Sequence, residues 1–257
     1  MKRLYVLLPA PLFGIWLSLV YINPYGGQIT LSELVLQLSG SRGSFPLGLS
    51  LTDLLTFSLR LVPTFVFEAL AGVTLYRHWC TASVYVFSRI PGRRGWYLRQ
   101  VSGLLLTAAL YQVLLLAAAL CTALLRWEVL FDLRGALYLG FHFGIYTLWK
   151  AGAALLVNLI AIFTGSSAAF TGLTAAQLVL ISLFALLREP VYELLRLNPM
   201  SCLVLGWQGS RLLGDVAAMR IENSLIISAI LALAALVAGV VIVQRHDLIV
   251  SDMESGG

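Results

Sequence analysis

Six blocks of about twenty mostly apolar residues recur along the chain, at roughly 4–22, 56–76, 102–125, 137–162, 167–187 and 224–243. A helix needs about 20 residues to cross a hydrocarbon core about 30 Å thick, so the pattern predicts six transmembrane helices. The first block follows Met1-Lys2-Arg3 and resembles a secretion signal at first sight. Its apolar stretch is too long for a signal's hydrophobic region, and no A-x-A site follows. It is expected to be a retained span, with Pro9 and Pro11 as candidate bend points.

Two of the segments between spans are long. Residues 23–55 place Leu31, Leu34 and Leu38 with Glu33 in the spacing of a short amphipathic helix at the membrane surface. Residues 188–223 carry apolar runs, Val191–Leu197 and Cys202–Trp207, broken by Pro190, Asn198-Pro199 and Gly206. These runs are too short to span, so outer hairpin helices are expected between spans five and six. No internal repeat or heptad array is present, and the tail 251–257 is expected to be disordered.

Composition sharpens the picture. Of 257 residues, 60% are hydrophobic and 11% charged, where soluble domains hold about 45–50% and about 25%. That excludes soluble, disordered, collagen-like and disulfide-framework classes. Cys80, Cys121 and Cys202 form no C-x-x-C or zinc spacing. The net charge of +5 fits retention of basic residues on one membrane face and gives no reason to invoke nucleic acid.

Lys2, Arg3, Arg77, Arg89, Arg93, Arg94, Arg99 and Arg245 share one side with only Asp247, Asp252 and Glu254. Arg42, Arg126, Arg134, Arg188, Arg196, Arg211 and Arg220 share the other with Glu33, Asp53, Glu128, Asp132, Glu189, Glu193, Asp215 and Glu222. The first side is net +5 and the second net −1. Both termini are therefore expected in the cytoplasm.

The segment between spans two and three holds the most chemistry. An apolar-aromatic stretch, Val84 to Phe87, leads to Arg89, a Pro91-Gly92 break, paired Arg93-Arg94, and then Trp96 and Tyr97. Proline-glycine sets a sharp turn, arginines suit carboxylates and lipid phosphates, and the aromatics suit a membrane interface. Two readings stand: a basic cytoplasmic loop with an aromatic anchor, or a docking surface for a cytoplasmic partner.

The loop Ser88-Arg-Ile-Pro-Gly-Arg-Arg-Gly-Trp-Tyr-Leu-Arg99, its flanking spans, Leu197-Asn198-Pro199 and the ending Gln244-Arg-His-Asp247 resemble an ABC-2-type transporter permease. The resemblance is to small six-span bacterial permeases linked to peptide or antibiotic export and immunity. It implies an all-α, single-domain permease bundle over residues 1–257, in the cell membrane among lipids. It also implies a second permease chain and a dimer of ABC ATPase subunits. Arg89, Pro91, Gly92, Arg93, Arg94, Trp96 and Tyr97 would form the ATPase-coupling loop. The cargo would be a hydrophobic or amphipathic peptide, antibiotic or lipid.

The residues point separately to an outside ATPase. A P-loop needs Gly-Lys-Ser/Thr, and neither Lys2 nor Lys150 follows a glycine. The chain is expected to be no enzyme, to hold no cofactor or metal, and to leave ATP to a partner.

Arg60, Glu68 and Lys150 fall inside the spans. Arg60 is near enough to an end to snorkel. Glu68 and Lys150 lie roughly 18–20 Å below the outer surface at about 1.5 Å per residue. Each costs at least about 2.5–3.5 kcal/mol if unpaired there. Their matching depth suggests a pair or a shared polar cavity, serving either as structural glue or in substrate contact and gating. If they pair, Glu68→Lys should damage assembly and added Lys150→Glu should restore it. His142 lacks a second histidine for a metal site; Gly140 and Gly144 around it suit close helix packing. Asn158 and Gln177 are candidates for interhelical hydrogen bonds, and Trp207 and Tyr192 for interface anchors.

Two other functions compete. A non-transporting scaffold or sensor beside an ABC system needs the same docking loop. An intramembrane metalloprotease would have to recruit Glu189, Glu193 and His142, and both glutamates fall in an outer loop.

Overall fold

A computed structural model describes residues 4–40, 51–77, 92–186, 197–215 and 219–245. In chain order the elements are α1 (Leu4–Leu7), α2 (Pro9–Tyr21), β1 (Gln28–Thr30), α3 (Leu31–Ser39), α4 (Leu51–Arg60) and α5 (Val62–Ala71). They continue with α6 (Arg93–Arg126), β2 (Glu128–Leu130), α7 (Leu133–Thr164), α8 (Ser166–Leu186), β3 (Gln208–Gly209), β4 (Met219–Arg220) and α9 (Ile221–Arg245). The tail 251–257, Arg89, Pro91 and most of Val191–Leu197 lie outside the described residues.

Among the described residues, four helices are long and apolar enough to cross a membrane: α6, α7, α8 and α9. A fifth is counted if Leu51–Arg60 and Val62–Arg77 form one span, bent by 44°. Pro63 explains the bend, because a proline cannot donate to the carbonyl four residues back and its ring crowds that turn. The first block is a shorter apolar helix, Tyr5–Tyr21, of 17 residues. It is interrupted at Leu8, and Pro9 starts α2 at a position where its missing N–H costs nothing.

α7 is the central helix and is largely buried, whereas α8 and α9 expose most of their apolar surface. Leu178 and Val179 on α8 and Ile226, Ile230, Leu233 and Val237 on α9 face outward. That outward coat of large aliphatic side chains suits lipid, not water. α2 lies along α6, and α7 packs on α6, α8 and α9. Gly165 ends α7 at φ +83°, a left-handed conformation that lets α8 begin one residue later.

At the Leu133 end the bundle carries a small cap. Thr30 caps α3 by accepting from the Glu33 N–H. Asp132 caps α7, its Oδ2 accepting from the Gly135 N–H (3.1 Å) and its Oδ1 from the Ser32 N–H (3.0 Å). One carboxylate thus ties two helix starts together, and β1 pairs in parallel with β2 beside it. The apolar residues of α3, Leu31, Leu34, Val35 and Leu38, are buried against the protein itself, including α7.

The expected outer hairpin helices are not found in the described part of that segment. Pro199–Leu203 and Leu205–Trp207 are two short 3-10 turns, with Met200, Cys202, Leu203 and Leu205 fully buried. The turns pair the Ser201 and Val204 carbonyls with the Val204 and Trp207 N–H groups, and buried side chains add further hydrogen bonds. Gln208 Nε2 donates to the carbonyls of Ser201, Cys202 and Val204 (2.9, 3.1 and 3.2 Å), and Tyr146 Oη to that of Leu203 (2.8 Å). Trp207 is no interface anchor: it packs in the interior against Phe57 and Phe184.

Candidate functional site

Two places hold the residues singled out by sequence. The first is the Arg93 end of the bundle. The expected loop from Arg93 onward is instead the start of α6, which begins nine residues before the apolar block. Arg93, Arg94, Trp96 and Tyr97 sit in its first turns after Gly92. Between Arg93 and Val101 only Gly95 disfavours a helix, by about 1 kcal/mol, and it sits in the first turn; the arginines, Leu98 and Gln100 propagate the helix.

This end is fastened to the last helix. Arg94 Nη2 donates to Gln244 Oε1 at 2.9 Å. The hydroxyl end of the buried Tyr97 side chain abuts Gly239 of α9, so close that an added Cβ there would overlap it. Arg94 and Arg99 are exposed. Cations at a helix N-terminus oppose the macrodipole, so these arginines gain nothing from α6 and stay open to external anions.

The second place is the interior. Lys150 lies about 26 Å along α7 from Leu133 and about 21 Å from Thr164, at about 1.5 Å per residue. It is buried, with 1% exposed. His142, Tyr146 and Lys150 recur every fourth residue and therefore share one face of α7. Lys150 Nζ donates to Gln112 Oε1 on α6. Its Nζ also lies 5.2 Å from the Tyr146 ring centre and 5.4 Å from that of Tyr111, within cation–π range.

The far side of the same amide, Gln112 Nε2, is 3.1 Å from His142 Nδ1. Lysine cannot accept when charged, so Gln112 presents its oxygen to Lys150 and its N–H to the imidazole. His142 Nδ1 is then the acceptor, and its proton sits on Nε2. The imidazole stacks on Tyr146, with centroids 4.3 Å apart and planes 11° apart. Tyr146 in turn reaches the Leu203 carbonyl of the cap. A polar chain therefore runs from the 3-10 turns to the middle of the bundle.

Glu68 on α5 is fully buried and accepts from Gln177 Nε2 of α8 at 3.2 Å. Glu68 and Lys150 are within electrostatic reach of one another, but no ion pair joins them. Each is held by an amide instead: Gln177 for the acid, Gln112 for the base. Asn158 also links two helices, accepting from the Tyr76 N–H at 2.8 Å. Arg60 lies over the Tyr21 ring of α2, 4.4 Å from its centre.

The glycine pair divides. Gly144 faces Leu225 of α9, with 3.0 Å from an added Cβ to the leucine methyl, whereas a Cβ added at Gly140 would meet nothing within 4 Å among the described residues. The closest helix approaches use glycines the sequence did not flag. At Gly14 on α2 an added Cβ would meet the Leu115 carbonyl of α6 at 2.2 Å, and Gly239 meets Tyr97. The fourfold spacing of His142, Tyr146 and Lys150 was a usable signal for the interior chain; weighing His142 only as a metal ligand hid it. In the cap, burial pushes the Cys202 thiol above its ordinary pKa, which keeps it protonated and unreactive.

Comparison with protein families, with curated proteins and with solved structures finds no match to this chain.

Proposed function

We propose that the chain is the membrane permease subunit of an ABC transporter, carrying a hydrophobic or amphipathic substrate across the cell membrane. A separate ATPase docks at the basic end around residues 77–100 and supplies the energy. In this reading both termini are cytoplasmic and the short Tyr5–Tyr21 helix is the sixth crossing. Its length of about 25 Å is a few ångströms short of the core, a mismatch that local bilayer thinning absorbs at modest cost.

One observation supports this reading most. The arginine-bearing start of α6 is locked to the end of α9 through Arg94–Gln244 and Tyr97–Gly239. A push there moves two long helices together, and α6 carries α2 along its length. Exposed guanidiniums at that lever offer planar donors for carboxylates on a docking protein. With no Gly-Lys-Ser/Thr in the sequence, the fuel must be hydrolysed by another chain.

The test is co-purification from the native membrane followed by an ATPase assay in vesicles. An ATP-hydrolysing subunit is expected to come down with the wild-type chain and to be lost from Arg93→Glu/Arg94→Glu. Substrate-stimulated hydrolysis by the reconstituted complex separates a transporter from a scaffold or sensor. Recovery of the chain with no ATPase at all would contradict the proposal.

A further inference from the structure

The unsatisfied polar atoms of the interior fall in an informative pattern. Within the Glu68–Gln177 contact, one hydrogen bond is made, from Gln177 Nε2 to Glu68 Oε1. The other oxygen of each group, Glu68 Oε2 and Gln177 Oε1, is buried with no partner. Both orphans are acceptors when the acid is ionised, so what the pair lacks is a single donor.

We propose that Glu68 is a proton-binding site: the carboxyl holds a proton on Oε2, and that O–H donates to Gln177 Oε1, closing a two-bond acid–amide ring between α5 and α8. One proton, taken from water, satisfies both orphans at once, and the existing bond is the other half of the ring. An ionised carboxylate would leave both of these acceptors buried and unpaired, an arrangement that folded proteins avoid.

The surroundings fit a neutral acid. Lys150 on α7 is the charged group within electrostatic reach of Glu68 among the described residues. Its ammonium is taken up by Gln112 Oε1 and the Tyr111 and Tyr146 rings, without contact to the carboxyl. His142 on α7 is engaged by Gln112, Arg60 on α4 lies over Tyr21, and on α8 the buried Thr174 Oγ1 is likewise without a partner and so donates to neither orphan. Glu68 therefore serves α5–α8 cohesion as a hydrogen-bonded acid, not as the counter-ion of Lys150. This holds whether or not the chain transports anything.

Infrared spectroscopy of the full chain in phosphatidylcholine vesicles, before and after exchange into deuterated water, tests it. At neutral pH the expected spectrum has the carbonyl stretch of a protonated carboxylic acid, shifted on deuteration and absent from Glu68→Gln. Glu68→Gln keeps a donor facing Gln177, so it is expected to fold with a melting temperature near that of the wild type. Gln177→Leu is expected to displace the acid band, since the O–H loses its acceptor. A wild-type spectrum with only carboxylate absorption at this site would overturn the proposal, with a water bridging the orphan oxygens. So would an acid band indifferent to both substitutions, or collapse of Glu68→Gln.

Discussion

Glu68→Lys is expected to leave little folded protein in the membrane, the largest loss among single substitutions of the interior. The change adds a second ammonium to a region where Lys150 is already buried, and it deprives Gln177 Nε2 of its acceptor. A buried charge left without compensation costs about 3–5 kcal/mol, against a total stability of about 5–15 kcal/mol. The amount of monodisperse protein after size-exclusion chromatography measures it, with Glu68→Gln as the isosteric control expected to behave like wild type. Adding Lys150→Glu removes the like charge and should recover part of the loss. Full recovery is not expected, because Gln112 and Gln177 are oriented for the native arrangement. Wild-type yield from Glu68→Lys would mean that position 68 is open to water.

Gly14→Leu is expected to detach α2 from α6. The added Cβ would sit 2.2 Å from the Leu115 carbonyl and 3.0 Å from the Ala119 nitrogen. These are backbone atoms and cannot swing aside, so the helices must part. Overpacking of this kind costs about 1–3 kcal/mol and occasionally more, and a clash with backbone belongs at the upper end. Leucine gains only about 1 kcal/mol over glycine in helix propensity, too little to offset it. Thermal unfolding in detergent provides the measurement. Gly140→Leu is the matched control: nothing lies within 4 Å of a Cβ there, so that variant should melt no lower than wild type. Equal melting of the two variants would mean that α2 does not lie on α6 at Gly14.

What could be read from sequence was the distribution of apolar length. Spans three to six stand out because twenty consecutive residues with little charge have few other uses. Their ends did not stand out: Arg93 to Gln100 is helical although polar, since hydropathy ends where charge begins but hydrogen bonding does not. The bend at Pro63 splits a block that reads as continuous, and Pro9 trims the first. The run Cys202–Trp207 is apolar because protein buries it, and a one-dimensional pattern cannot tell protein from lipid.

The interior shows a different limit. Glu68 and Lys150 were legible as a costly pair of charges, but their actual partners are amides. Gln177 stood out as an interhelical hydrogen-bonding residue, and it makes such a bond to Glu68, but its partner was not legible. Gln112 is uncharged, and no sequence spacing links the helices of either glutamine to α5 or α7. The glycines at 14 and 239 were equally silent, because a close approach is a property of two helices and only one is visible at a time.

Cysteine labelling of the Arg93 end tests the proposed orientation most directly. With Cys80, Cys121 and Cys202 replaced, Arg93→Cys is treated with a membrane-impermeant maleimide in intact cells and in inverted vesicles. Labelling confined to inverted vesicles is the expected result and leaves that end within reach of a cytoplasmic ATPase. Labelling in intact cells would put the arginines outside, where no ATPase could engage them.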